Sequence, residues 1–152
     1  MKKTLALVSA IVWAGSAQAS FIYGIAQEGG IWKIDTATGD STKVTDTLIV
    51  NSQGGTNGLA HDGAGTFYYA AGNKFYKNSG TEQQVAVAGF GGPNANATYH
   101  NGDYVFVSGS GAIRSIDLGT NTLSGTTAVS GLSNGYGDIA SDLSGKVWAQ
   151  AG

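Results

Sequence analysis

Three stretches of this chain superimpose on one another, and that internal repeat limits the possible folds more than any other feature. They are GLAHDGAGTFYYAAG (58–72), ATYHNGDYVFVSG (97–109) and DIASDLSGKVWAQAG (138–152). Each reads as a short strand, an Asp/Asn-centred turn, and a second, more apolar strand closed by glycine. The opening FIYGI (21–25) matches the second strand without the first. Downstream of the unit lies another shared element: IWKIDTATG (31–39) and IRSIDLGTN (113–121) are each an apolar strand closed by Asp and a turn, followed by a Thr-rich strand over 41–47 and 122–129. The middle repeat carries a degenerate version in KFYKNSG (74–80), followed by 82–88. Each unit therefore holds four strands, designated A to D.

The residue types fit this reading. A side-chain carboxylate at the end of a strand accepts hydrogen bonds from the backbone just ahead of it, so Asp35, Asp62, Asp117 and Asp142 are turn-formers first. The second strands, 67–71, 104–107 and 147–149, are apolar on consecutive residues and should be buried on both faces. A single two-layer sandwich would leave one face polar, whereas the inner strand of a blade lies between two neighbouring blades. The closing glycines Gly72, Gly109 and Gly152 are about 37 and 43 residues apart, near the repeat length of four-stranded propeller blades. The fold class expected is all-β, in consecutive four-stranded antiparallel blades of an incomplete β-propeller. In these "apolar-Asp-x-x-Gly-x-apolar-Tyr" and "Ile-Asp-x-x-Thr-Gly" turns the chain resembles the broad family of bacterial exported β-propeller repeat proteins. The resemblance runs over nearly all of residues 20–152 and implies architecture, hardly function. About three blades' worth of strands is fewer than the four to eight that usually close a ring, so the expectation is a propeller cut short at its C-terminus.

Two domains are expected: a signal peptide over 1–19 and the partial propeller over 20–152. Lys2 and Lys3, an apolar stretch from Thr4 to Trp13, and Ala17-Gln18-Ala19 form the three regions of an export signal, with cleavage before Ser20. The apolar run is about half of the roughly 20 residues needed to span a bilayer. The expected location is periplasmic or extracellular, with no membrane span after cleavage. The chain has no cysteine, which removes disulfides and thiolate metal sites. Eight Lys plus Arg and a formal charge of −2 leave no basic field for nucleic acid.

Candidate chemistry is sparse. His61 and His100 fall at the same place in consecutive repeats, at the end of strand A, where a channel-facing pair would bind a metal or exchange protons; Ser141 interrupts the set, and turn placement explains both. Gly89 to Pro93 opens no helix and cannot cradle a phosphate. The acidic residues lack calcium-loop spacing, and no serine has a placed base. Trp32 and Trp148 read as core residues rather than sugar platforms. No catalytic residue, metal ligand or cofactor is assigned. The ligand candidates are polar residues of the D–A connections: Gln53, Asn57, Asn94, Asn96, Asn134 and Tyr136. These neutral loops suit a protein or carbohydrate partner. The functional expectation is a non-enzymatic binding or interaction scaffold; the alternative is a propeller hydrolase, lactonase or lyase with catalytic residues partly in missing blades.

Overall fold

A computed structural model describes residues 20–26, 29–47, 56–108, 111–128, 139–142, 144 and 146–150. The expected export signal, 1–19, lies outside the described residues, as do Gln53, Asn134 and Tyr136. The described residues form four antiparallel meanders and no helix. Sheet 1 holds β1 (Phe21–Ile25), β2 (Ile31–Asp35) and β3 (Ser41–Thr45), which are strands B, C and D. Sheet 2 is a complete A-B-C-D unit of β4 (Thr56–His61), β5 (Phe67–Ala71), β6 (Lys74–Asn78) and β7 (Glu82–Val85). Sheet 3 repeats it with β8 (Pro93–His100), β9 (Asp103–Ser108) and β10 (Ala112–Asp117), but its strand D is split into β11 (Thr122–Leu123) and β12 (Thr127–Ala128), both on β10. Sheet 4 is an A-B pair, β13 (Ile139–Ser141) and β14 (Val147–Ala149). The fold is thus a run of consecutive propeller blades, stacked sheet on sheet in an open arrangement.

Alternate side chains of each B strand point to opposite neighbours, which is why these strands are apolar on consecutive residues. Phe67, Tyr69 and Ala71 of β5 pack with Ile31, Tyr23 and Ile25 of sheet 1. Tyr68 and Ala70 join Tyr104, Phe106 and Ile116 of sheet 3. From β9, Val105 and Val107 pack on Ile139 and Val147 of sheet 4. The central contact is mostly aromatic: Phe75 lies 4.8 Å from Tyr104 and 5.7 Å from Phe90, and Phe90 meets Phe106 edge-on at 5.4 Å between centroids. Burial falls off at the ends of the stack, where Phe21, Ile22 and Trp148 are exposed. Trp148 is therefore not the core residue its sequence context suggests, because the described residues place no sheet against its face.

Polar groups lock the sheets in register. Strand β4 bulges at Gly58, whose φ of +66° suits glycine, and the register against β5 shifts there. The Gly58 carbonyl, freed from the ladder, accepts a 2.7 Å hydrogen bond from the Tyr104 hydroxyl of sheet 3. Between sheets 1 and 2, the fully buried Asn78 donates to the Asp46 carbonyl at 3.2 Å and accepts from the Gly80 N–H, while the Tyr69 hydroxyl donates to Glu82. Tyr104→Phe keeps the ring but strands a buried carbonyl, so it should cost about 1–3 kcal/mol. Urea denaturation of the two proteins checks this; equal midpoints would mean that the bond contributes nothing.

The turns follow two templates, each used twice. After strand C, the Asp35 Oδ1 accepts from the N–H of Ala37 (2.8 Å) and Thr38 (3.3 Å), and the Asp117 Oδ1 from Gly119 and Thr120 (both 2.8 Å). Each turn closes by a backbone bond from Gly39 or Asn121, both left-handed, to the carbonyl of its aspartate. After strand A, the Asp62 Oδ1 accepts from Ala64 (2.8 Å) and Thr66 (2.9 Å), and the Asp142 Oδ1 from Ser144 (2.8 Å) and Lys146 (3.0 Å). The middle repeat departs from this, with a two-residue Asn101-Gly102 reversal of positive φ at both positions.

Candidate functional site

The A strands line the inner side of the stack: β4 packs against β8, and β8 against β13. Their ends bring His61, His100 and Ser141 to one groove with Tyr99, Asn101 and Asp142, enclosing about 830 Å³. The repeat thus does place the two histidines together with the third-repeat serine, at the A–B turn end of the sheets.

The histidines and Asp142 are engaged within their own turns, and Ser141 bridges two sheets. The His61 Nδ1 accepts the Gly63 N–H at 3.3 Å, and its ring lies 4.7 Å from Tyr23 and 4.6 Å from Phe67. The His100 Nε2 is 3.1 Å from the Asn101 side-chain nitrogen. The Ser141 hydroxyl donates to the Tyr99 carbonyl at 2.8 Å, so its 2.8 Å contact with Thr98 must be donated by the threonine. This pair of bonds ties sheet 4 to sheet 3. The Asp142 Oδ2 accepts the Trp148 Nε1–H at 3.1 Å. Among the described residues no group of three or more His, Asp or Glu is arranged to hold a metal ion.

Electrostatics follow from the turns. Burial raises the Asp62 pKa, but the N–H groups of Thr66 and Ala64 outweigh it, and the carboxyl titrates below its ordinary value of 3.8. The Ser144 hydroxyl, with Trp148 and the Lys146 N–H, holds Asp142 lower still. Both are anionic at neutral pH. At the other extreme, burial pushes Tyr104 far above the ordinary phenol value of 10.0, and burial together with Glu82 does the same to Tyr69. A depressed carboxylate adds stability above the unfolded-state value that is lost as pH falls through the folded one; a raised phenol adds stability below pH 10 that is lost as pH rises. Stability should be level through neutral pH and decline below about pH 4 and above about pH 10. Thermal melts over this range check it, and Asp62→Asn should flatten part of the acid limb.

The loop candidates fare differently from the expectation. Asn57, Asn94 and Asn96 do not belong to connecting loops: β4 begins at Thr56 and β8 at Pro93. Both strands run further back than their apolar residues indicate, because each reaches past a bulge to pair again with its B strand, Asn57 with Ala70 and Pro93 with Ser108. The opposite end of the sheets carries a smaller pocket of about 410 Å³, between Asn73, Lys74 and Phe90. The groove at the A–B turns was legible only through the shared position of the histidines. The partnership of Thr98 with Ser141 had no sequence signal.

This geometry defines a β-propeller-type protein with its inner strands facing a groove lined by His61, His100, Asn101, Ser141 and Asp142. No protein-family model matches the sequence, and no curated protein matches it. Solved structures share the fold. A chain of the nidogen/laminin complex aligns with 76% of this chain at 12% identity and a TM-score of 0.54, and 45% of that chain is covered. PorZ, a surface component of the type-IX secretion system of Porphyromonas gingivalis, aligns with 86% at 8% identity and a TM-score of 0.56, with 19% of its length covered. Myxococcus xanthus glutaminyl cyclase aligns with 88% at 16% identity and a TM-score of 0.52, with 67% of its length covered. The chain spans less than half the length of the first two. At these identities the likeness is one of fold. Among the described residues no helix is long and apolar enough to cross a membrane.

Proposed function

We propose that this protein is an exported β-propeller scaffold that binds a protein or carbohydrate partner without transforming it. The observation that carries the reading is the groove at the inner ends of the A strands, where an imidazole and a carboxylate hold turns and the Ser141 hydroxyl ties two sheets together. Groups so engaged are held in fixed positions and, among the described residues, leave no nucleophile paired with a base. The neighbours support the reading by analogy: one is drawn from a protein complex, and another is a bacterial surface component. Residues 1–19 act as the cleaved export signal.

The test has two parts. Mass spectrometry of the exported protein should give a chain beginning at Ser20; recovery of intact Met1 in a membrane fraction would remove export. Binding to glycan arrays and to envelope proteins should be weakened by Asn101→Gly, which deletes an amide in the groove and keeps the left-handed backbone. The glutaminyl cyclase likeness favours the second reading, an enzyme. Consumption of a bound ligand, abolished by His61→Ala with the fold intact, would establish that reading in place of the scaffold.

A further inference from the structure

The turn bonds that occupy the two groove histidines also fix which ring nitrogen each leaves over. His61 accepts the Gly63 N–H at Nδ1, so its ring proton sits on Nε2. An amide nitrogen can only donate, so the 3.1 Å contact with Asn101 makes His100 Nε2 the acceptor and puts that ring's proton on Nδ1. Each imidazole keeps one N–H that meets no acceptor among the described residues. Asn101 is exposed beside them, and its side-chain oxygen adds an acceptor.

An aromatic ring completes the lining. Tyr99 is half-buried and stacks on Tyr68 with 6.5 Å between centroids and 16° between planes; Tyr68 stacks in turn on Phe75 at 6.3 Å and 9°. Tyr99 is thus the outermost ring of a near-parallel row, held in place by two buried rings, and it lines the groove. Charge and topology narrow what such a groove accepts. No lysine or arginine lines it, and Asp62 and Asp142 are anionic, which disfavours an anion. A cation gains little, because the Asp142 oxygens are occupied by Ser144, Lys146 and Trp148 and the histidines present N–H groups. A peptide finds no ladder to extend, since the groove lies where A–B pairing ends, at His61 with Phe67, His100 with Asp103 and Ser141 with Val147. These surroundings suit a neutral molecule whose hydroxyls both accept and donate and whose C–H face can lie on a ring. The volume of about 830 Å³ is within the roughly 300–1,000 Å³ of small-molecule sites.

We infer, on the scaffold reading above, that the groove takes a neutral saccharide seated against the Tyr99 ring. Its hydroxyls accept from the His61 Nε2–H and the His100 Nδ1–H and donate to the Asn101 side-chain oxygen. The turn bonds then have a second role: by fixing both tautomers, they set the donor pattern that the saccharide meets.

The experiment is calorimetric titration of the full chain, Met1 to Gly152, with cellotriose, mannotriose and triacetylchitotriose, and with trigalacturonate as the anionic control. At least one neutral trisaccharide should bind, and trigalacturonate should bind at least about tenfold more weakly. His100→Ala removes one donor and should weaken binding roughly three- to tenfold, the scale of a single hydrogen bond. Tyr99→Phe keeps the ring and should bind as the parent does, whereas Tyr99→Leu should lose about tenfold. Circular dichroism compares each variant with the parent; if Tyr99→Leu fails to fold, His100→Ala and the trigalacturonate control still decide. No binding of any neutral trisaccharide, equal binding of trigalacturonate, or a folded His100→Ala that binds undiminished would overturn the inference. An envelope protein captured by the parent and weakened by Asn101→Gly, with no saccharide bound, would overturn the saccharide and leave the scaffold standing. A saccharide bound in the groove and then cleaved would keep the ligand class and remove the scaffold.

Discussion

Phe106→Ala should lower the unfolding free energy by about 3–5 kcal/mol, the loss expected when a buried phenylalanine is truncated and its cavity persists. Phe106 is 1% exposed, lies edge-on to Phe90 at 5.4 Å, and sits 5.8 Å from Tyr104. It belongs to the cluster that joins sheets 2 and 3, the two complete blades. The surrounding groups cannot close the gap cheaply. Tyr104 is held by its bond to the Gly58 carbonyl, and Phe90 keeps its edge-on contact with Phe75 on the far side. Since domains of this size are stable by only about 5–15 kcal/mol, this one truncation should bring the protein close to its unfolding threshold. Denaturant unfolding followed by tyrosine and tryptophan fluorescence measures the effect. A loss under about 1 kcal/mol would mean that the junction is loosely packed and that the sheets stand largely independently. Val105→Ala, on the opposite face of the same strand, should cost less, because fewer atoms are removed and the sheet 4 cluster is smaller.

Gly92→Ala should be nearly as damaging although it adds only a methyl group. Gly92 has a φ of +81°, and a Cβ there would stand 2.2 Å from the Gly72 carbonyl oxygen and 3.2 Å from its carbon. Both obstacles are backbone, so no side chain can swing aside. The left-handed conformation is itself unfavourable for alanine by about 1–2 kcal/mol, and the clash comes on top, for an expected total of about 3 kcal/mol. Gly72 closes the B strand of sheet 2, while Gly92 precedes the A strand of sheet 3, so the substitution would pry two blades apart at their loop ends. Gly63→Ala is the control: its φ of +77° is also left-handed, yet nothing lies within 4 Å of its added methyl. The difference in melting temperature between the two variants isolates the close approach from the backbone strain. Equal losses would show that the approach of Gly72 is not tight in solution.

How much of this was legible depended on whether a residue's task is local. The four turn aspartates were readable because a carboxylate two to four residues from the N–H groups it caps needs nothing beyond its own turn, and all four cap as expected. The double-sided burial of β5 and β9 was equally plain, since an unbroken apolar run can be covered only by neighbours on both sides. The D strands were less so. The segment from 122 to 129 reads as one Thr-rich strand, yet it pairs with β10 only at its two ends, because the Ser124 hydroxyl and carbonyl turn inward to the Ser115 N–H and to Arg114. The asparagines at 57, 94 and 96 look like loop residues by composition and lie in strands, since backbone pairing past a bulge is indifferent to side-chain type.

Sequence alone therefore determined the class of fold, the four-strand unit, the turns that its aspartates cap, and the double-sided burial of β5 and β9, though not of β14, where 147–149 were expected to be buried and are not. The tertiary structure decided what happens between repeats: that Tyr104 reaches the Gly58 carbonyl, that Ser141 joins Thr98 and Tyr99 beside two turn-bound histidines, and that Trp148 stands uncovered at the end of the stack. The physical reason is one of range. Turn geometry is set by dihedral angles and hydrogen bonds over a few residues, whereas these contacts join groups 42 to 46 positions apart that meet only after each sheet has formed and stacked on the next.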